Sequence, residues 1–171
     1  MKRQILIILA LLAGVFSVQA QKFAFVDTDY ILSKIPEYND AQAQIDDLSA
    51  QWQNEMEAIY TEVNKLYQEY QAKKAIYPEE VRAKKEAEIL AKEKEIKDFQ
   101  QKKFGTDGEL YKKRTELVKP IQEKVFTAIQ NIAEKENYAV VLNKAEGVSI
   151  IYSNSKYDIS DDVLDKLGYS Y

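Results

Sequence analysis

The chain has 171 residues, 24 Lys and Arg against 28 Asp and Glu, a formal net charge of −4, five Gly, three Pro, and no His or Cys. The acidic balance argues against a general nucleic-acid binder, and the lack of His removes the commonest general base and metal ligand. Disulfides and thiol chemistry are excluded, and so few glycines leave little room for phosphate-cradling loops.

Residues 1–20 read as an export signal. Lys2 and Arg3 give a positive start, Ile5 to Phe16 form an apolar run broken only by Gly14, and Val18-Gln19-Ala20 is a small-residue cleavage pattern. The run is shorter than the roughly 20 residues of a spanning helix, so cleavage near Ala20 is expected. Without Lys2 and Arg3 the balance becomes 22 against 28, a net of −6.

Lys22 to Asp27 (KFAFVD) predicts a strand, with Phe23 and Phe25 on one face and Ala24 and Val26 on the other. Asp27-Thr28-Asp29 then supplies an N-cap for a short helix, Tyr30 to Lys34. Pro36 suits the first turn of a further helix. From Asn39 to Ile76 two rows recur every seven residues: Ile45, Trp52, Ile59, Leu66, and Met56, Val63, Tyr70, Tyr77. Such interleaved rows are what a coiled-coil seam requires.

Tyr77-Pro78 turns the chain, and a return helix is expected over 79–136, carrying Ile89, Ile96, Phe104, Tyr111, Val118, Val125 and Ile132. Gly105 and Gly108 predict a break or hinge in it, and Pro120 a bend or restart. The period then drops to two. Tyr138 to Leu142 (YAVVL) predicts a strand, Glu146-Gly147 a turn, and Val148 to Tyr152 (VSIIY) another strand. Ser160 is expected to cap a final helix, Asp161 to Lys166, ended by Gly168.

The fold class is therefore α+β, mostly α: a long antiparallel helical hairpin arm (44–119) on a small β-rich body (21–43 and 120–171). Three short strands from opposite ends of a chain leave exposed edges and little stability of their own. This argues for an oligomer in which several copies close one sheet.

Candidate chemistry is sparse. FVDTDYI, residues 25–31, resembles the Asp-x-Asp of haloacid-dehalogenase-type phosphatases, with Asp27 as nucleophile and Asp29 as acid/base. That family expects Thr or a similar residue where Ile31 stands, and further strand-helix units that this chain lacks, so capping is the favoured role. Asp158, Asp161, Asp162 and Asp165 flank a helix start, where carboxylates complement the dipole, without the looped glycine of a Ca²⁺ site. No catalytic residue, metal or cofactor is assigned. On the arm, Met56, Tyr60, Val63, Tyr67 and Tyr70 form a stripe wider than a two-helix seam needs. It either completes internal packing or offers an adaptable face to unfolded clients. Residues 37–64 hold seven acidic and no basic side chains, whereas 65–104 hold 11 basic and 8 acidic, a net of +3. The outer arm is thus either a solvated face of paired charges or a mildly cationic tip.

The export signal, the strand KFAFVDTDYIL, the hairpin and the block YAVVLNKAEGVSIIYSNSKYDISDDVLDKL together closely resemble the Skp/OmpH family of periplasmic chaperones. The resemblance implies a homotrimer with a barrel-like body, three arms around a cavity, and ATP-independent holding of unfolded outer-membrane proteins in the periplasm. Clients would meet the inner arm surfaces, here Met56, Tyr60, Val63, Tyr67 and Tyr70. Trimer contacts would involve Phe23, Phe25, Val140, Leu142, Ile150 and Tyr152. Arm tips touching anionic membrane or lipopolysaccharide belong to the same expectation. The best-known members are strongly basic and this chain is acidic, so electrostatic capture is expected to be either weaker here or confined to the outer arm. The alternative function is a coiled-coil structural or adaptor protein that binds one folded partner.

Overall fold

The computed structural model describes residues 22–145 and 150–169. The export signal and the Glu146-Gly147 turn lie outside the described residues. In chain order the elements are β1 (Lys22–Val26), α1 (Thr28–Ser33), α2 (Pro36–Lys73), α3 (Glu79–Phe104), α4 (Glu109–Glu136), β2 (Tyr138–Asn143), a 3-10 turn (Ser155–Tyr157) and α5 (Ser160–Leu167).

β1 and β2 pair in parallel, with Phe23 opposite Val140, Ala24 opposite Val141 and Phe25 opposite Leu142. Parallel strands need a long crossover, and α1 to α4 provide it. The two-residue period sends Ala24 and Val26, 0% and 3% exposed, into a core closed by Ile31, Val125, Val163 and Leu164. On the other edge of β1, the Ile159 N–H donates to Phe25 O at 2.9 Å. The outer edge of β2 has no strand partner among the described residues.

Among the described residues the sheet has two strands, against the three expected. In the stretch Val148–Tyr152, 148 and 149 lie outside the described residues, and Ile150, Ile151 and Tyr152 belong to no strand. Ile151 and Tyr152 are 101% and 79% exposed. A segment apolar on both sides gains from pairing only when its faces are covered, and no described element covers them.

α2 begins with Pro36 in its first turn, as expected. It packs antiparallel to α3: Trp52 meets Phe104, Glu62 meets Lys92, and Tyr70 meets Glu86, so partners run in opposite sequence directions. The seven-residue rows of α2 form the seam, with Ile45, Trp52, Val63 and Tyr70 buried and Met56, Ile59 and Leu66 half-buried. The facing row of α3 differs in kind. Ile89 and Ile96 are buried, but the half-buried positions around them, at steps of three and four, are Arg82, Lys85, Lys92, Phe99 and Lys103. Their stems cover apolar surface while the cationic heads reach water or a partner.

The return helix breaks where two glycines predict it. α3 ends at Phe104 and α4 starts at Glu109. Close approach requires glycine here: a Cβ at Gly105 would lie 2.3 Å from Gln101 O, and one at Gly108 would lie 2.8 Å from Lys103 O. Alanine at either site therefore displaces backbone rather than simply stiffening the turn. Pro120, in contrast, neither ends nor restarts the helix; α4 runs through it. The ring sits on the exposed side, where helix hydrogen bonds are weakest and a missing donor costs least. On either side of it, Val118 packs with Ala41 and Ile45, and Val125 joins the main core.

Asn137 ends α4 in the left-handed region at φ 56°, a conformation Asn tolerates, and the chain turns straight into β2. Gly168 ends α5 at φ 86°, as expected. Ser160 is a correction: it is the first residue of α5 rather than its side-chain cap, and Ile159 holds the capping position.

Candidate functional site

Four features stand out, beginning with the outer face of the sheet. The register that buries Ala24 and Val26 sends Phe23, Phe25, Val140 and Leu142 to the opposite side. Phe23 stacks on Tyr157 at 5.4 Å and meets Phe25 edge-on at 5.8 Å. Phe25 is buried beneath them, while Phe23, Val140, Leu142 and Tyr157 remain 46%, 51%, 40% and 40% exposed. So four of the six residues expected at an interface between copies share one apolar face. Tyr152 is exposed in the neighbouring irregular segment, and Ile150 is half-buried there.

The second feature is the helical seam. Of the five residues expected to meet clients, Val63 and Tyr70 lie inside it, at 8% and 4% exposure. They belong to the row that closes α2 on α3, which is the internal-packing alternative for these two positions. The Tyr70 hydroxyl donates to Glu86, and that carboxylate pushes the phenol pKa above its usual value. Met56 is half-buried, while Tyr60 and Tyr67 stand 45% and 51% exposed.

The third is the elbow at the glycine break. Lys103, the last lysine of α3, places its ammonium 4.4 Å from the centre of the Trp52 ring and pairs with Glu109 across the break. Trp52 also takes the edge of Phe104, at 6.2 Å. Lys103 holds the Glu109 carboxyl below its usual pKa. Sequence periodicity missed this arrangement because its central residue is a cation at a seam position.

The fourth is a polar clasp joining the chain ends. Asp27 Oδ1 accepts from the Tyr30 N–H at 2.9 Å, the capping role expected of it. Its own N–H donates to Ser160 Oγ at 2.8 Å, and Ser160 Oγ donates to Asp158 Oδ1 at 2.6 Å. Asp158 also pairs with Lys144 at 2.5 Å. Asn143 Oδ1 accepts from the Thr28 N–H, and Asn143 Nδ2 donates to Thr28 Oγ1. These bonds fasten β1, β2 and α5 together at one point. Burial pushes the Asp158 carboxyl up, but the bonds from Lys144 and Ser160 outweigh it and hold the pKa below the usual value.

A group whose pKa falls on folding adds stability above its unfolded value, about 3.9 for Asp. It loses that stability as pH drops through the folded value. The clasp is thus fully formed from neutral pH down to about 4. Asp158→Asn should cost roughly 1–3 kcal/mol at pH 7. The difference from wild type should shrink only as pH falls below the ordinary Asp range, as wild-type Asp158 is protonated in turn. Urea midpoints taken across pH check both.

The comparisons with known proteins follow this geometry. A search of curated proteins returns no match. Among solved structures, the chain is similar to one from Caulobacter crescentus CB15 described as an OmpH-like outer membrane chaperone. The TM-score is 0.64 at 16% identity, over 90% of this chain and 88% of that one. At that identity the likeness shows the fold. Family membership comes from the model of the OmpH-like outer membrane proteins, which matches residues 22–167. That match covers both strands, the α2–α3 pair, the glycine break and the clasp, and with it the chain belongs to the OmpH-like outer membrane protein family.

Proposed function

We propose that this protein is a trimeric, ATP-independent holding chaperone of the periplasm that keeps unfolded outer-membrane proteins from aggregating. In this reading 21–43 and 120–171 form the body, and 44–119 form an arm. The outer sheet faces of three copies pack together, and the arms surround a shared space. The Gly105–Gly108 break serves as an elbow, held by Trp52, Lys103 and Glu109.

The observation that carries the reading is the apolar face of Phe23, Val140, Leu142 and Tyr157. It lies opposite a core that is already closed. Burying it takes a partner, and a second and third copy each bring the same apolar patch to a shared body. Assembly there leaves the α2–α3 pair projecting. Contact of the cationic outer arm, around Lys73, Lys74, Lys84 and Lys85, with anionic lipid or lipopolysaccharide fits the same reading.

Light scattering from a porin diluted out of urea tests the function. The protein should suppress aggregation without nucleotide at about one assembly per porin and should ignore the folded porin. Porin aggregation unaffected by the protein, with one folded envelope protein copurifying instead, would favour the adaptor reading.

A further inference from the structure

One flank of the α2–α3 pair has a chemistry that its other flank lacks. Gln53, Glu57, Tyr60, Asn64, Tyr67 and Gln71 follow one another at alternating steps of four and three, and all six are exposed. That spacing keeps them in a single straight row beside the seam. Glu57 carries its only charge. On the other flank, Glu62 reaches across to Lys92 at 3.1 Å, and Lys92 also holds Glu95 at 3.1 Å. Tyr60 and Tyr67 keep about half of their surface in solvent, at 45% and 51% exposure, while Val63 and Tyr70 close the seam.

The row spans 18 residue steps, about 27 Å of helix at about 1.5 Å each. An extended chain covers that distance in about eight residues. Tyrosine presents a rigid apolar ring with a hydroxyl at its tip, and a side-chain amide offers both donor and acceptor. An unfolded segment presents the complementary groups: unpaired backbone N–H and C=O, and apolar side chains in water. Membrane-spanning β-strands are about 9–11 residues long and carry few charges on their lipid-facing side. The neutral row fits such a segment in length and in lack of charge, and it offers a basic or acidic stretch very little.

We propose that this row holds the uncharged, strand-forming segments of unfolded β-barrel clients by ring contact and amide hydrogen bonding, so that holding hardly depends on salt. The inference rests on the holding function proposed above. It adds which client segments are held and by what force.

The test uses the full mature chain and a fluorescently labelled eight-stranded outer-membrane barrel diluted from urea at trace concentration. Wild-type affinity should change less than about threefold between 50 and 500 mM NaCl, against the steep salt slope of charge-driven capture. Tyr60→Ser/Tyr67→Ser should weaken binding at least about tenfold, and Tyr60→Phe/Tyr67→Phe, which keeps the rings, less than about threefold. Circular dichroism and solution mass of each variant establish that the fold and assembly are intact. A wild-type affinity that falls tenfold with salt, or serine variants that bind within twofold of wild type, would overturn the inference while leaving the holding function standing. Wild type that fails to bind the barrel at either salt removes the holding function and this inference together.

Discussion

Val140→Glu/Leu142→Glu should release the assembly as single chains. Both side chains are half-exposed in the isolated chain, at 51% and 40%, so the carboxylates cost the folded chain little. In the proposed assembly the same positions are covered. Burying an unpaired carboxylate costs about 3 kcal/mol or more, and every 1.4 kcal/mol is about tenfold in association. Two per chain should lower assembly by more than about four orders of magnitude. Light scattering should then report the mass of one chain at micromolar concentration, with helical content unchanged. A variant that keeps the wild-type mass would place the contact between copies elsewhere.

Trp52→Ala should produce the largest loss of stability along the helical pair. Trp52 is 7% exposed, and its ring is shared by Phe104 and the Lys103 ammonium at the glycine break. Truncating a buried tryptophan typically costs about 3–5 kcal/mol. Few other contacts compensate, since the facing row of α3 buries only Ile89 and Ile96. Amide exchange should accelerate strongly in α3 and in the middle of α2, while β1, β2 and α5 keep their protection around Val163 and Leu164. Uniform acceleration across the chain would mean that the two regions unfold as one unit.

Much of the architecture can be read from single positions. The seven-residue rows of α2, the cap at Asp27, the break at Gly105 and Gly108 and the stop at Gly168 are local signals, each set by one backbone requirement. Alternation in KFAFV was enough to separate Phe23 and Phe25 from Ala24 and Val26, and the fold decides that the second pair enters the core. What escaped the sequence depends on residues far apart in the chain. The parallel pairing of β1 with β2 spans more than a hundred positions and leaves no local mark. The clasp joins Asp27 and Thr28 to Asn143, Lys144, Asp158 and Ser160, and no spacing rule connects them. The α3 side of the seam was only half legible, because Arg82, Lys85, Lys92 and Lys103 occupy positions where an apolar pattern is sought. Of the bend or restart expected at Pro120, the restart does not occur: its local cost is real, but packing at Val118 and Val125 carries the helix through it.

The candidate surfaces divide in the same way. A period of two groups Phe23 with Phe25 and Val140 with Leu142, but joining the two pairs into one set came from the family resemblance, and only the β1–β2 register puts them on one face. Val63 and Tyr70 were open to two roles, because a row seven residues apart serves a seam and an outer stripe equally well. Only the position of the partner helix tells them apart, and it makes Tyr60 and Tyr67 the exposed pair.

The most direct test of the account is the absolute mass of the mature protein in solution, measured alone and after addition of one urea-unfolded porin per assembly. The account predicts three chains in the first measurement, and three chains plus one soluble porin in the second. A folded single chain that leaves the porin to precipitate would contradict it.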